Sequence, residues 1–168
     1  SQDWHPSQHG SFADNQGMPP FSQGELNGLP QTWWPAHCIQ KTPGADFHPK
    51  LNLAAIQEII QKGCDPQVDS YSAFFDNGHR HETGLRSLLK ARGITHLTIL
   101  GLATDYCVKF TTLDALALGF TVTLVIDGCR GVNIDPQDSQ RTLEDLQKRA
   151  HRSFFGLIHN QKIHSSCA

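Results

Sequence analysis

The stretch LTILGLATDYCVKFTTLDALALGF, residues 97–120, carries the clearest structural pattern in the chain. It completes an apolar strand, predicted over residues 95–102, and then turns through small residues into a helix. We predict this helix over residues 106–118, with Gly119 marking its end. A second strand-like run, residues 121–127, follows at once. A strand, a helix and another strand in this order predict parallel strands joined by a crossover helix.

The same alternation continues on both sides of this stretch. Residues 83–92 form an amphipathic pattern, with Thr83 as the predicted N-cap and Gly93 as the stop. Asp135, followed by proline, is expected to begin a further helix that extends to about residue 150. We therefore predict an α/β fold of three layers, in which a mostly parallel sheet carries helices on both faces.

The first third of the chain is less regular. Residues 1–50 are rich in Pro, Gly, Asn, Gln and His, and they are predicted to form a long ordered loop region of the kind that often carries function. Residues 53–61, LAAIQEIIQ, fit either a short helix or a strand. The sequence shows no internal repeat and no linker, so we expect a single domain over residues 1–168.

Composition narrows the class of protein. The chain has 168 residues, 38% of them hydrophobic, and a formal net charge of −2, which argues against a basic nucleic-acid surface. Its apolar runs are much shorter than a membrane span. The five cysteines are scattered and have no CxxC spacing, which favours a reducing, cytoplasmic location over a disulfide framework. We expect neither nucleic acid nor membrane as a partner.

Two reactive side chains are predicted to lie at strand ends, where α/β sheets place their active sites. Cys107 falls in the first turn of the helix after strand 95–102, where the helix dipole favours a thiolate and backbone N–H groups can hold an oxyanion. A buried structural cysteine is the alternative. Lys62 follows an apolar run and could stabilise the same negative charge, or it could simply be solvated.

A cluster of metal-binding residue types lies near the N-terminus. The segment QDWHPSQH contains Asp3, His5 and His9 within seven residues, and WWPAHC adds His37. In an extended strand Asp3 and His5 point to the same side, as two ligands of one ion must. Mixed carboxylate and imidazole ligands suit zinc, iron or manganese. The alternative is that these histidines are ordinary surface residues.

Five segments of the chain, taken together, carry a family resemblance. They read QDWHPSQHGSF, GLPQTWWPAHCIQ, KGCDPQVDSYSAFFDN, GLATDYCVKFTTLDALALGF and DGCRGVN, and they cover roughly residues 1–135. In kind and order they resemble bacterial nicotinamidases of the isochorismatase-like cysteine hydrolase superfamily. The resemblance implies an isochorismatase-like fold. It also implies hydrolysis of nicotinamide to nicotinic acid and ammonia through a cysteine thioester, as a step in NAD salvage, with pyrazinamide as a further substrate.

The resemblance assigns roles to the reactive residues. Cys107 would be the nucleophile, and Lys62 would be the lysine of the catalytic triad. The backbone N–H groups of Ala103 and Cys107 would form the oxyanion hole, with a cis peptide bond between Leu102 and Ala103 orienting the first of them. Ala103 would therefore contact the substrate as well.

The resemblance also implies a cofactor, which is one divalent ion of zinc, iron or manganese. Asp3, His5 and His37 would bind this ion, and His9 would be either an additional ligand or a neighbour that supports the ligands. The ion would hold the pyridine nitrogen of the substrate.

The remaining implications concern the ring pocket and the start of the chain. Trp34 and Tyr71 would line a pocket for the pyridine ring, although large aromatic side chains can equally serve as core packing. In the family, the triad aspartate ends a first strand that precedes the metal-binding motif. Because the chain begins at Ser1, directly before that motif, we expect an N-terminally incomplete domain that lacks this strand and its aspartate.

Two classes of alternative stay open at this point. The protein could hydrolyse another small amide, or an isochorismate-type ether, with the same fold and cysteine. It could instead be a catalytically impaired, truncated form or a binding protein. The resemblance also allows a homo-oligomer.

Overall fold

The structure, a computed structural model, describes residues 1–152. The chain divides into two units, of which the first is Ser1–Leu85 and the second begins at Arg86. Of the five cysteines, only Cys167 lies outside the described residues. Among residues 1–152, no helix combines the length and the apolar composition needed to cross a membrane.

The first unit contains a short parallel pair of strands. β1 (Gln2–Asp3) pairs with β4 (Gln61–Lys62), and Asp3 lies beside Lys62 in the register. The N–H of Gln2 donates to the carbonyl of Ile60, and the N–H of Trp4 donates to the carbonyl of Lys62. This pairing brings together two segments that are almost sixty residues apart in sequence.

An antiparallel hairpin follows in the same unit. β2 (Gln23–Leu26) and β3 (Leu29–Thr32) are joined by Asn27 and Gly28, which both have positive φ values, of 50° and 81°. Two consecutive positive φ values are the requirement of a type I′ turn, which Asn-Gly satisfies best.

The irregular region therefore has more structure than the sequence predicted. Besides β1 and the hairpin, residues 1–50 contain α1 (Ala13–Gln16) and a 3₁₀ turn over Pro43–Ala45. Residues 53–61 adopt neither of the two predicted structures over their length. They begin with a 3₁₀ turn at Leu53–Ala55 and reach β4 without a regular element between.

Aromatic side chains form the centre of the first unit. Phe12, Trp33, Trp34 and Phe74 are buried. Gly24 of β2 lies so close to the indole of Trp33 that any side chain at this position would overlap the ring. Strand β2 of the hairpin therefore packs directly against the side chain of Trp33.

The second unit has the predicted alternation of strands and helices. β5 (His96–Leu102) and β6 (Thr121–Arg130) form a parallel pair, and the helices are α2 (Leu85–Ala91), α3 (Lys109–Ala117) and α4 (Asp138–Arg152). This arrangement confirms the α/β class and the parallel pairing of its strands.

The ends of these elements are set by the residues that the sequence indicated. The Thr83 hydroxyl accepts a hydrogen bond from the N–H of Leu85 at 3.2 Å, and Gly93 after α2 has a φ of 65°. Gly119 follows α3 with a φ of 89°. β6 is longer than predicted because it contains an irregularity, in which one residue of β5, Leu100, lies opposite four residues of β6, 125–128.

The core of the second unit joins α4 to the βαβ elements. Val108, Leu124, Cys129 and Leu146 are buried together, and partly buried apolar side chains surround them. The surrounding residues are Ile99, Leu113, Ile126 and Leu143. Full burial of a leucine side chain stabilises a fold by roughly 1.5–3 kcal/mol, so Leu124 and Leu146 are principal contributors.

Asp76 holds the loop that precedes α2. Its carboxylate accepts backbone hydrogen bonds from Gly78 at 2.8 Å, Arg80 at 3.0 Å and His81 at 2.9 Å. Burial acts to raise the pKa of Asp76, but these hydrogen bonds and the His81 side chain outweigh burial and hold the pKa below its ordinary value. The ionised form therefore stabilises the loop.

Replacing Asp76 with Asn should lower the free energy of unfolding by about 1–3 kcal/mol at neutral pH, because it removes the charge that these donors face. The folded-state pKa of Asp76 is lowered, so its contribution is complete above the unfolded pKa of about 3.9. The contribution disappears as the pH falls through the lower folded value. Urea unfolding at neutral pH and in steps toward about pH 3 should show the two proteins converging.

Asp145→Asn is the matched control. Asp145 forms a surface ion pair with Arg149 at 2.9 Å within α4, and its loss should cost less than about 1 kcal/mol. Equal effects of the two substitutions at neutral pH would contradict the role of Asp76.

Candidate active site

The first unit contains a candidate site with a buried positive charge, which is the ammonium group of Lys62. Lys62 is 4% exposed, and its Nζ donates to the carboxylate Oδ1 of Asp3 and, at 2.7 Å, to the carbonyl of Ser70. Burial acts to raise the pKa of Asp3, but the neighbouring Lys62 charge outweighs burial and lowers it. The ion pair therefore keeps Asp3 ionised.

His5 lies next to this ion pair with a defined orientation. It is 2% exposed, and its Nδ1 is 2.9 Å from the carbonyl of Gly63. A carbonyl can only accept, so Nδ1 carries the proton and Nε2 has the lone pair. That Nε2 is 3.9 Å from Oδ1 of Asp3. Burial lowers the pKa of His5 to about 4, which leaves the ring neutral near pH 7.

His37 approaches from a neighbouring segment. The main chain of His5 pairs with residues 38–40, so position 37 falls beside it. The ring centroids of His5 and His37 are 4.9 Å apart. Nδ1 of His37 lies 2.9 Å from the carbonyl of Pro35, which by the same argument leaves the lone pair on Nε2.

Asp3 and His37 thus each lie beside His5, as the metal hypothesis requires of neighbouring ligands. A carboxylate and two imidazoles with Nε2 lone pairs form a donor set that suits zinc and related divalent ions. The carbonyls that fix the two rings are the kind of partner that metal-binding histidines use to set their tautomer. By donor type these residues therefore fit a divalent ion, whereas the potential ligand atoms that lie within 4.8 Å of one another belong to His5, His9 and Asp69.

His9 and Asp69 complete a buried cluster with His5. One potential ligand atom from each of these three residues lies within 4.8 Å of the other two. His9 is fully buried, and burial lowers its pKa against the opposing effect of Asp69. The carboxylate of Asp69 accepts from Nε2 of Gln31 at 2.9 Å and from the N–H of Ser70 at 2.7 Å.

Sequence reasoning missed Asp69. It lies about sixty residues from His5 and His9, and no spacing rule connects positions so far apart. In the sequence, Asp69 is distinguished only by its place in the segment KGCDPQVDSYSAFFDN, in which functional roles were predicted for Lys62 and Tyr71 but not for Asp69.

An aromatic pair borders the histidines. The indole Nε1 of Trp34 donates to the hydroxyl of Tyr71 at 3.3 Å, and the two rings meet edge to face. Trp34 also lies 6.5 Å from His37, measured between ring centroids. The pair is positioned to form a wall beside the candidate ligands, and its role in holding a substrate ring stays a prediction.

In the second unit, Cys107 lies in a π-helical turn, Thr104–Val108, between β5 and α3. The predicted helix start at residue 106 was therefore wrong, because a wider turn precedes α3. The carbonyl of Ala103 accepts from the N–H groups of Tyr106 and Val108 at 3.1 Å and 3.0 Å. π-helical turns of this kind are frequent at functional sites.

Two details of this turn bear on the predictions. The peptide bond between Leu102 and Ala103 is cis, which confirms the expectation from the family resemblance. Cys107 is half-buried and forms no disulfide. Its neighbour Asp105 is buried and accepts from the N–H groups of Val132 at 2.9 Å and Asn133 at 2.7 Å, so it fastens the loop after β6 to the turn.

Comparison with known proteins identifies the class. Residues 15–152 match the isochorismatase domain. The chain therefore belongs to the isochorismatase family.

The individual proteins to which the chain is most similar within this family include nicotinamidases and pyrazinamidases. The nicotinamidase of Escherichia coli is 56% identical over 146 residues, which are 87% of this chain and 68% of the relative. A nicotinamidase/pyrazinamidase structure from Acinetobacter baumanii has a TM-score of 0.85 at 41% identity and covers 94% of this chain and 74% of its own. The Pyrococcus horikoshii pyrazinamidase in complex with zinc has a TM-score of 0.70 at 35% identity, covering 94% and 73%.

Gly63→Ala tests the packing of the candidate metal centre. Gly63 has a φ of 68°, and a Cβ at this position would overlap the His5 ring. The variant should therefore displace His5 and lose most of its capacity for Zn²⁺, measured by elemental analysis after loading and gel filtration.

Gly17→Ala separates this effect from backbone strain. Gly17 has a similar φ of 63° but nothing within 4 Å of the added Cβ. Both variants bear the left-handed strain of about 1–2 kcal/mol, but only Gly63→Ala disturbs the ring. Full zinc content in Gly63→Ala would refute the placement of His5 as a ligand.

Proposed function

We propose that this protein hydrolyses nicotinamide to nicotinic acid and ammonia. One observation carries the proposal, which is the 56% identity to the Escherichia coli nicotinamidase over 87% of the chain. The geometry supports it, since the first unit groups a buried lysine, an oriented carboxylate and histidine set, and an aromatic pair. The second unit supplies a cysteine at a strand-to-helix turn.

In this mechanism Cys107 carries out covalent catalysis. The triad aspartate that the family resemblance implies would be the general base that takes the thiol proton of Cys107, and the sulfur attacks the carboxamide carbon. The backbone N–H groups of Ala103 and Cys107 hold the resulting oxyanion, and the positive charge of Lys62 stabilises the negative charge that develops. The C–N bond then breaks, and ammonia leaves with the proton from the base. Water hydrolyses the thioester, which releases nicotinic acid and restores the thiol.

Asp3, His5 and His37 would hold one divalent ion of zinc, iron or manganese. When bound, the ion supplies a Lewis acid that anchors the pyridine nitrogen. The edge-to-face pair of Trp34 and Tyr71 would form the wall against which the ring lies. Since both Nδ1 atoms are engaged by carbonyls, the two histidines would bind through Nε2.

The biological setting follows from the reaction. We place the activity in NAD salvage in the cytoplasm, with pyrazinamide as a second substrate because it shares the carboxamide and an aromatic nitrogen. Residues 1–168 would act as part of one hydrolase domain, with a small molecule as the partner. A homo-oligomer is compatible with this function.

Ammonia release tests the proposed function directly. The purified protein should release ammonia from nicotinamide faster than from aliphatic amides, because only the aromatic substrate offers a ring nitrogen to the ion. Cys107→Ala should reduce kcat/KM by roughly 10⁴-fold or more, since it removes the nucleophile. Cys64→Ser, at an exposed cysteine of the first unit, is the control and should retain activity. Turnover in Cys107→Ala would exclude the thioester route, and faster hydrolysis of another amide would favour a related hydrolase.

Replacing His37 with Ala tests the ligand set. The variant should fall from about one ion per chain to near zero, because the remaining protein ligands compete poorly with water. His48→Ala is the control, since the His48 side chain is exposed and its described hydrogen bond is a local one, from the N–H of Lys50. Elemental analysis that finds unchanged metal in His37→Ala would remove His37 from the site.

A further inference from the structure

The turn that carries Cys107 is closed by bonds within its own backbone. The N–H groups of Tyr106 and Val108 both donate to the carbonyl of Ala103, so the π-helical turn Thr104–Val108 is bonded to the residue that precedes it. Val108 also packs in the buried core of the second unit, which fixes the last residue of the turn. A π-helical turn is wider than an α-helical one. Bonds within it hold its shape without setting its tilt, so the direction of its middle residues depends on a further contact.

Asp105 makes that contact. It is 6% exposed and lies two residues before Cys107 in the turn. Its Oδ1 accepts from the N–H of Val132 at 2.9 Å, and its Oδ2 accepts from the N–H of Asn133 at 2.7 Å. Each carboxylate oxygen thus has its own main-chain donor. A side-chain amide has only one acceptor oxygen, so an asparagine at this position could not satisfy both donors.

The loop that Asp105 holds is itself tied to α4. Asn133 has a φ of 54°, and its Oδ1 accepts from the N–H of Ser139 at 3.0 Å in the first turn of α4. Gly131 lies so close to the Oγ of Ser139 that an added Cβ would overlap it. Helix α4 in turn contributes Leu146 to the buried core. Hydrogen bonds therefore link the Cys107 turn, through Asp105 and the loop, to a helix whose position is fixed by packing.

We propose that Asp105 is a positioning residue for the nucleophile, which sets the tilt of the Cys107 turn through residues 131–133 and α4. The inference rests on the proposed function for the reaction itself. In that reaction the sulfur must reach the carboxamide carbon while the N–H groups of Ala103 and Cys107 meet the oxyanion, at about 2.7–3.1 Å. Tilting the turn moves the sulfur and both donors, and a misplacement of about 1 Å can reduce the rate roughly 100-fold.

Hydrogen exchange measured by mass spectrometry tests the structural part of the inference without any need for turnover. Asp105→Asn keeps the size of the side chain and places an NH₂ group against one of the two N–H donors. In the unaltered protein, peptides that cover residues 103–108 and 131–133 should exchange slowly. In Asp105→Asn both regions should exchange roughly 10-fold faster or more, because a buried donor has lost its acceptor. Peptides from the start of β6 should be unchanged.

Turnover of nicotinamide tests the catalytic part. Asp105→Asn should lower kcat roughly 100-fold. It should change KM by less than about 3-fold, because the side chains predicted to hold the ring belong to the first unit.

Val122→Ala is the control for lost stability. Val122 is fully buried at the start of β6, beside Leu97, at the other end of the strand from residues 131–133. This variant should lower the melting temperature and retain the kcat of the unaltered protein.

A second variant keeps the test decisive if Asp105→Asn does not fold. Asn133→Gly removes the bond to Ser139 but keeps the N–H that Asp105 accepts, and glycine tolerates the left-handed φ. The loop then stays bonded to the turn but is released from α4. We expect kcat to fall roughly 10-fold, as for the loss of one hydrogen bond.

An aldehyde analogue separates misplacement of the turn from loss of folded protein. Pyridine-3-carbaldehyde can add the thiol of Cys107. A carbon–sulfur bond forms, the carbonyl π bond breaks, and the thiol proton ends on the oxygen, which lies where the oxyanion would develop. Nicotinic acid binds without forming this bond. By calorimetry, Asp105→Asn should weaken the aldehyde roughly 10–100-fold more than the acid.

Four results would overturn the inference. They are unaltered exchange at residues 103–108 in Asp105→Asn, an unaltered kcat in Asp105→Asn or Asn133→Gly, an equal loss of kcat in Val122→Ala, and equal weakening of aldehyde and acid. Ammonia release that persists undiminished in the Asp105 and Asn133 variants refutes the positioning role alone. Absence of ammonia release from the unaltered protein refutes the proposed function, and this inference with it.

Discussion

A buried positive charge at Lys62 is the constraint around which the first unit is arranged. An ammonium group taken out of water needs a charge partner and further acceptors, and removing one partner of such a pair typically costs about 3–5 kcal/mol. Asp3 and the carbonyl of Ser70 meet this need. The ion pair between Asp3 and Lys62 requires β1 and β4 to pair in the observed register, which places the two residues side by side. The left-handed backbone of Gly63 then brings its carbonyl against His5.

In each of the three imidazoles, a main-chain hydrogen-bond partner determines whether Nδ1 carries a proton or a lone pair. Carbonyls orient His5 and His37, whereas an N–H orients His9. The same side-chain type can therefore present a lone pair at Nε2 in one position and at Nδ1 in another, within a few ångströms. The difference does not depend on the surrounding charges, since a backbone group cannot exchange its role as donor or acceptor. Local backbone direction is thus as important to this site as the choice of residue.

Much of the second unit could be predicted from sequence because its signals are local. Apolar runs, glycines with positive φ and a threonine cap fixed the elements to within a few residues. The π-helical turn at Thr104–Val108 was missed, since one extra residue in a turn leaves no trace in hydrophobic periodicity. The extension of β6 depends on an irregular pairing with β5, which is likewise a tertiary feature.

The first unit was harder to predict, for reasons that differ between its parts. The Asn27-Gly28 turn carried a readable signal that was overlooked in a stretch dominated by proline and glycine. The grouping of Asp3, His5 and His37 was expected from residue types and family resemblance, and the structure places Asp3 and His37 each beside His5. Asp69 could not have been found in this way, because only the folded chain brings it near His9. Hydrogen-bond direction at His9 is equally invisible in a sequence.

The placement of the aromatic residues has a spectroscopic consequence. The chain contains three tryptophans, at positions 4, 33 and 34, and all of them belong to the first unit. Indole emission therefore reports on the unit that carries the histidine cluster and is silent about the unit that carries Cys107. Far-ultraviolet circular dichroism reports mainly on the second unit, because α3, α4 and all but the first residue of α2 lie in that unit. Recorded in one denaturation experiment, the two signals would reveal whether the two halves of the chain unfold together or one after the other.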